Sequence, residues 1–501
     1  MAIKNGSVIG IDFGTTNTSI ISLMKDDLGE KCVVLGEDGE FPFASLLAIS
    51  KDNRVFFGNK VRKNHDSFSE SYCLVSSFKS LLGTGESIEI NGKPCPPKQI
   101  AAEYFKCLKR VIAKKYNIDI TEAAFSFPVD FSAQARRDLI KAAIRADIRV
   151  TGFVSESTAA YLAVSEQIKG KERVMVVDWG GGTLDISILE TKGGKVRELS
   201  VFGEKIGGDD IDRELAGRVH AMMCDLTDDK SKVVSFDEMP SEQRDKLIFA
   251  CERAKVQLSE DGEDYPLTIR DYGELGTKTV NITNAMFEDM IKPIIKSRVL
   301  SAINSAMERA ELTPAGIDAV IIAGGSSNLR PFANAMLNLF GEDKLILPQK
   351  SGFVSAKGAA LMPLIGGKCK LGESLGVMMS DDTMFELLKK DEDGVGSKSP
   401  VHEFSVVDNS AEAHIIIASG DGKTIFRKVN VPTKGFLNER LEISARIDET
   451  QTAKVTIHSS ASPDELQDTV VGINGLTFYY DLSGMNDTEN SSEKSDEVAN
   501  V

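Results

Sequence analysis

Over roughly the first 365 residues, strand-like apolar runs such as Val8–Asp12 and Val174–Val177 alternate with longer segments of helical period, which is the pattern of α/β layers. A helix is predicted over about Gln99–Tyr116, where Ile100, Tyr104, Leu108 and Val111 recur on one face. A second over about Glu242–Ser259 buries Leu247, Cys251, Ala254 and Leu258. A third, about Ala285–Arg309, carries Phe287, Ile291, Ile294 and Ile295, with a kink expected at Pro293. Near Gly366 the period changes. Leu441, Ile443, Ala445 and Ile447 alternate with polar residues, as do Val455 and Ile457, which predicts half-buried antiparallel strands and a small β-sandwich. From Asp481 to Val501 almost no large apolar residue remains, so a disordered acidic tail is expected.

Length and composition narrow the picture. A chain of 501 residues exceeds one core, and at roughly 150 residues per domain about three units are expected. The net charge of −16 repels nucleic acid and anionic membrane, and no basic patch offsets it, so neither is expected as a partner. No basic segment precedes an apolar run at the N-terminus and no long apolar span follows, so a cytoplasmic protein is expected. The seven cysteines are scattered without a C-x-x-C pair and the five histidines do not cluster. Reduced thiols are therefore expected, rather than a disulfide framework, a zinc site or a histidine triad.

The chemistry lies in the turns. Val8 to Asn17 reads as a strand ending in Asp12, a tight turn Gly14-Thr15-Thr16-Asn17 and a second strand. Such a turn aims backbone N–H groups and two hydroxyls at a phosphate, and a carboxylate at the strand end can hold a metal-bound water. The pattern recurs 166 residues on, with Asp178, Gly180, Gly181, Gly182, Thr183 and Asp185. Two such hairpins can face each other and grip phosphates from both sides. A third Gly-rich turn, Ala323-Gly324-Gly325-Ser326-Ser327, follows the apolar strand Val320–Ile322, and glycine there permits close approach of a nucleoside. An ordinary hairpin or βα loop explains any one of these turns alone, but not all three in this order. None is a P-loop or a dinucleotide fingerprint.

With these turns the chain resembles the DnaK-type, seventy-kilodalton heat-shock chaperone family. The likeness extends to Ile206-Gly207-Gly208-Asp209-Asp210-Ile211-Asp212, against the family's G-G-[ED]-D-F-D, and to Phe127-Pro128-Val129-Asp130-Phe131 before a helix. Ser155-Glu156-Ser157-Thr158-Ala159-Ala160 stands where the family has N-E-P-T-A-A. The match is strong over about residues 8–365 and weaker over 374–460. It implies an actin-like ATPase domain, a duplicated ribonuclease-H-like α/β fold, over 1–366, a short polar linker over 367–373 and a peptide-binding-like β-sandwich over 374–480. The tail from 481 to 501 completes the layout.

The resemblance further implies a Mg-dependent ATPase acting as a chaperone. ATP or ADP and Mg2+ are the implied cofactors, with K+ as a further candidate. Asp12, Glu156, Asp178 and Asp185 would surround the hydrated Mg2+ and the attacking water, and Lys79, in Phe78-Lys79-Ser80, would reach the γ-phosphate. Gly14, Thr15, Thr16, Asn17, Gly180, Gly181, Gly182, Thr183, Gly207 and Gly208 would cradle phosphates. Glu252, Lys255 and Ser259, on one helical face, would meet ribose and adenine together with Gly324, Gly325, Ser326 and Asn328. Phosphoryl transfer depends on charge neutralisation and an aligned water more than on covalent help, which agrees with these roles. Val256 and Asn328 stand where many members place arginines that sandwich adenine.

Implied partners are unfolded or extended polypeptide segments, a J-domain co-chaperone and a nucleotide-exchange factor. The peptide groove would involve Val377, Met379, Phe404, Val406 and Ile415, for which core packing is the competing role. Pro128 and Arg136 match the family's relay pair. The linker lacks the family's aliphatic run, and no helical lid follows the sandwich. Those two departures keep a second reading open, a nucleotide-binding regulator with incidental turnover. A sugar or acetate kinase on the same superfold leaves the β-domain without a role.

Overall fold

The computed structural model describes residues 7–26, 29–37, 39, 41–64, 68, 71–129, 131–228, 231, 233–459 and 469–483. Asp130 and the expected tail from Gly484 onward lie outside them. The chain divides into two units. The first comprises Met1–Phe131, Asp138–Thr191 and Glu198–Leu364, and the second Ser132–Arg137, Lys192–Arg197 and Ile365–Val501.

The first unit is built on two sheets of the same topology. In one, β1 (Val8–Phe13), β2 (Asn17–Asp26) and β3 (Gly29–Val34) form a meander, and β4 (Glu122–Phe127) and β5 (Arg149–Ser155) continue it on the other side of β1, giving the order β5-β4-β1-β2-β3. In the other, β6 (Arg173–Trp179), β7 (Leu184–Lys192) and β8 (Lys195–Glu204) repeat the meander. β9 (Ala319–Ala323) and β10 (Leu345–Ile346) extend it, giving β10-β9-β6-β7-β8. The register repeats too. Asp12 faces Ser19 across the first hairpin and Asp178 faces Asp185 across the second, while the parallel neighbours are Ser126 and Ala323.

The helices are α1 (Asn59–Lys63), α2 (Pro97–Tyr116), α3 (Ala133–Arg145), α4 (Glu156–Val164), α5 (Gly208–Asp225), α6 (Ser241–Asp261), α7 (Asn284–Ile294), α8 (Leu300–Arg309), α9 (Arg330–Phe340) and α10 (Val354–Leu364). The long helix expected to kink at Pro293 is instead divided, because α7 passes through a π-helical turn, Ile295–Val299, into α8. Pro293 offers no N–H and its ring crowds the preceding turn, and a widened turn absorbs the mismatch. Helix α10 crosses both β1 and α4 at backbone distance. A methyl group at Gly10 would lie 2.0 Å from the Ala356 carbonyl oxygen, and one at Gly358 1.8 Å from that of Ala159. Only glycine allows this approach.

In the second unit, β11 (Lys368–Leu371) lies within the stretch read as a polar linker. It forms a strand because β20 (Phe478–Asp481) pairs with it antiparallel, and β20's other edge pairs with Lys195–Arg197. Asp481, the first residue of the expected tail, ends that strand. Arg136 Nε donates to the Thr450 carbonyl at 2.8 Å. Between these strands lies the sandwich. One sheet runs β13-β12-β15-β16 (Met384–Leu388, Leu375–Met378, Glu412–Ser419, Ile425–Pro432) and the other β14-β17-β18-β19 (His402–Ser405, Arg440–Ile447, Ala453–Ser459, Thr469–Ile473). Alternate residues fill its core: Val377, Ile417 and Val429 from one face, Leu441, Ile443 and Val455 from the other. Of the groove candidates, Val377 and Val406 are buried in this core and Phe404 and Ile415 pack against it. No described helix is long and apolar enough to cross a membrane.

Candidate functional site

The two hairpin turns of the first unit meet. A methyl group at Gly181 would lie 2.0 Å from Thr16 Oγ1, and one at Gly182 would touch the Thr15 side chain at 3.4 Å. The second turn is closed by the Gly180 N–H donating to the Thr183 carbonyl at 2.9 Å. Thr183 Oγ1 then donates to Asp185 Oδ2 at 2.8 Å. In the first, Ser126 Oγ, one strand over, donates to Asp12 Oδ1 at 2.9 Å.

Lys79 reaches this junction from a loop held by its neighbour. Phe78 is fully buried and its ring centroid stands 5.7 Å from those of Phe13 and Tyr104. Lys79 Nζ donates to Glu156 Oε1 at 3.0 Å, both residues being buried, and lies 5.6 Å from the centre of the Phe131 ring. Glu156 is the first residue of α4, directly after β5, with Ser155 as N-cap accepting from the Thr158 N–H. Burial pulls the Lys79 pKa down, but the carboxylates of Glu156, Asp12 and Asp185 together hold it above its ordinary value. Burial and the neighbouring Asp12, Asp178 and Asp185 push Glu156 well up against the attraction of Lys79. Asp178 is pushed up to about 7 by burial and then by Asp12 and Asp185. Four carboxylates and one ammonium thus interact here, Lys79 and Glu156 buried and Asp12, Asp178 and Asp185 half-buried, and the negative charges outnumber the positive one.

The N-terminus of α5 docks on the second turn. The Gly208 and Asp209 N–H groups donate to the carbonyls of Gly180 (3.1 Å) and Gly181 (2.8 Å), and a methyl at Gly207 would strike the Gly181 carbonyl at 2.1 Å. Asp209 accepts from Thr16 Oγ1 at 3.2 Å. Lys255, on α6, donates to the Gly208 carbonyl at 3.0 Å and to Asp212 Oδ2 at 2.7 Å. Asp212 nevertheless sits at about 7 because burial outweighs the attraction of Lys255. Its Oδ1 is buried with no hydrogen-bond partner among the described residues.

The third turn closes the opposite side. Gly324, at φ +82°, abuts Asp178, since a methyl there would lie 2.5 Å from Asp178 Oδ1. Ser326 Oγ donates to the Gly180 carbonyl at 2.7 Å. A methyl at Gly325 would meet nothing within 4 Å, so that glycine borders open space. Asn328 is exposed and donates Nδ2 to the Gly325 carbonyl at 3.1 Å. On α6, Ser259 Oγ is turned back to the Lys255 carbonyl at 2.7 Å and Val256 is 48% exposed.

Sequence reasoning missed Arg62. From α1 it donates Nη1 to Asn17 Oδ1 (2.9 Å) and Nη2 to the Thr16 carbonyl (3.0 Å), and it stands 3.8 Å from Glu252 on α6. One guanidinium therefore ties the first turn to the helix carrying Glu252, Lys255 and Ser259. Nothing in the run Asn59-Lys60-Val61-Arg62-Lys63 distinguishes it from a solvated basic turn. Asp209 and Asp212 lie in a motif that was visible, but only the fold shows that they hold Thr16 and Lys255.

Comparison with known proteins agrees with this architecture. The Hsp70 protein family model matches residues 83–365, more than half of the chain. "Chaperone protein DnaK" of Thermosipho melanesiensis is 28% identical over 443 residues, covering 85% of this chain and 70% of that protein. "Chaperone protein DnaK" of Thermosipho africanus is 31% identical over 356 residues, covering 68% of this chain and 56% of that protein. The chain belongs to the Hsp70 family, and with it to the actin-like α/β fold expected from the paired turns.

Proposed function

We propose that the chain is an ATP-dependent chaperone, which binds ATP between the two hairpin turns, hydrolyses it, and engages extended polypeptide through its β-sandwich. The observation that carries this reading is the buried Lys79–Glu156 pair enclosed by Asp12, Asp178 and Asp185. A buried ammonium among carboxylates is a costly arrangement for stability alone, and phosphoryl transfer uses it directly.

Asp12, Glu156, Asp178 and Asp185 would hold Mg2+, directly or through water. When bound, that cation neutralises phosphate charge and lowers the pKa of its waters. The surrounding residues do the rest. Thr15, Thr16 and the amides of Gly181 to Thr183 bind phosphate oxygens, and Lys79 offers a fixed positive charge to the γ-phosphate. Glu156, held beside Lys79, accepts a proton from the attacking water. Glu252, Lys255, Ser259, Gly324, Gly325, Ser326 and Asn328 border the nucleoside side, with Gly325 facing free space. A J-domain co-chaperone and an exchange factor belong to the same reading, as does a cytoplasmic location.

The test is phosphate release from ATP with and without Mg2+ and with an extended peptide added. Hydrolysis that needs Mg2+ and rises with peptide is expected. A Mg2+-independent or peptide-insensitive rate would count against the reading.

A further inference from the structure

The residues on either side of Glu156 are tied to one acceptor. Ser155 Oγ donates to Glu198 Oε1 at 2.7 Å and Ser157 Oγ donates to the same oxygen at 2.8 Å. Glu198 lies on β8, more than forty positions downstream, and no motif points to it. Its carboxylate is enclosed, and burial raises its pKa while the two hydroxyls draw it back.

The geometry constrains the start of α4. Both hydroxyls converge on one carboxylate oxygen of Glu198, and Ser155 Oγ also lies 3.0 Å from Thr158 Oγ1 and 3.3 Å from Ser157 Oγ, so the three hydroxyls and the carboxylate form one network. Ser155 Oγ is left with lone pairs for the Thr158 N–H, 3.4 Å away, which is the N-cap bond of the helix. The rotors on both sides of Glu156 are fixed by one group, and the first turn of α4 with them. That turn aims Glu156 at Lys79.

We propose that Glu198 is a positioning residue for Glu156, holding the first turn of α4 through Ser155 and Ser157 so that Glu156 keeps its place beside Lys79. The inference rests on the ATPase reading above. Small displacements of a reacting group cost up to 10²-fold in rate, so loss of the bridge acts on the chemical step while leaving the phosphate-binding turns intact.

The test compares full-length wild type, Glu198→Leu, Glu198→Gln and Ser157→Ala by single-turnover ATP hydrolysis and by ATP affinity. Glu198→Leu is expected to slow hydrolysis about tenfold with affinity within about twofold, as a displaced reacting group requires. Glu198→Gln, whose amide oxygen still accepts from both serines, should stay within about threefold of wild type. Ser157→Ala, which keeps the N-cap, should fall between them and should add nothing to Glu198→Leu in the double variant. Should Glu198→Leu fail to fold, Ser157→Ala alone decides by the same split of rate from affinity. A wild-type rate in Glu198→Leu or Ser157→Ala overturns the proposal, as does a Gln variant as slow as Leu. Absence of hydrolysis by the wild-type chain would instead reject the ATPase reading, and this inference with it.

Discussion

Lys79 Nζ and Glu156 Oε1 stand 3.0 Å apart in a volume that also holds Asp12, Asp178 and Asp185. The pair joins the loop that carries Phe78 to the start of α4, 77 positions away in sequence. Burial disfavours both charges. What holds Lys79 ionised is the sum of the surrounding carboxylates, and what limits the rise of the Glu156 pKa is Lys79. Each group therefore sets the protonation of the other.

Replacing Lys79 by alanine removes the only cation of this pair and leaves Glu156 with carboxylates. Two effects are expected. Hydrolysis falls on the order of 10²-fold or more, as when a preorganised charge is deleted from a reaction site. Ligand-free stability falls as well, because a buried carboxylate that loses its partner costs about 3–5 kcal/mol unless it takes up a proton. Single-turnover assays and thermal melts measure the two. ATP affinity, carried mostly by the turns, should survive, and an unchanged hydrolysis rate would refute the role of Lys79.

The ligand-free chain should lose stability on passing from mildly acidic to neutral pH. Asp212 and Asp178 titrate at about 7 in the folded chain, against 3.8 for the free carboxyl. Between those values the folded state keeps protons that the unfolded chain has released. The associated stability is full below the lower value and is lost as pH rises through the upper one. Calorimetry should find the melting temperature lower by a few degrees near pH 7.5 than near pH 5.5, with a shallower fall in Asp212→Asn. An unchanged fall in that variant would show that Asp212 is ionised throughout.

How far the sequence spoke depended on whether the partners of a residue were near it in the chain. The paired turns were legible because strand, aspartate and Gly/Thr turn recur as a local pattern, and their shared register, Asp12 to Ser19 and Asp178 to Asp185, follows from that repeat. Helix α2 was legible from its apolar face. Lys79 was not, since its burial comes from Phe131 and Glu156, and by pattern alone it is a surface lysine. The strand Lys368–Leu371 was hidden for the same reason, because its polar residues become a strand only against Phe478–Asp481. The π-helical turn after Pro293 shows the limit of a breaker signal, which marks where a helix is disturbed but not how the backbone absorbs it.

Arg62 predicts a separable effect on nucleotide release. It is bonded to Asn17 and Thr16 of the first turn and pairs with Glu252 across to α6, so it links the proposed phosphate-binding turn to the helix proposed to border the nucleoside. It touches none of the carboxylates around Lys79. Arg62→Ala should raise the nucleotide dissociation rate about tenfold, in line with hydrogen bonds to a charged group worth roughly 1.5–3 kcal/mol. Single-turnover hydrolysis should stay near wild type. Stopped-flow with a fluorescent nucleotide reads the first and quenched-flow the second. Slower chemistry with unchanged release would assign Arg62 to positioning the turn instead.

On the nucleoside side of the proposed site, positions 256 and 328 carry Val256 and Asn328. Val256 projects from α6 with 48% of its surface exposed, and Asn328 spends its amide on the Gly325 carbonyl. A guanidinium at position 256 would stand next in sequence to Lys255, on the same turn of α6, and needs no core rearrangement because the site is at the surface. A cation–π contact of roughly 0.5–2 kcal/mol corresponds to a several-fold gain in affinity. Val256→Arg should therefore tighten ATP binding about threefold or more in calorimetric titration, with less effect on a nucleotide carrying a smaller base. The melting temperature of the ligand-free chain should not move, since an exposed valine on a helix contributes little to the core. Unchanged affinity would mean that adenine does not lie over this face of α6, and would move the base toward the open space beside Gly325.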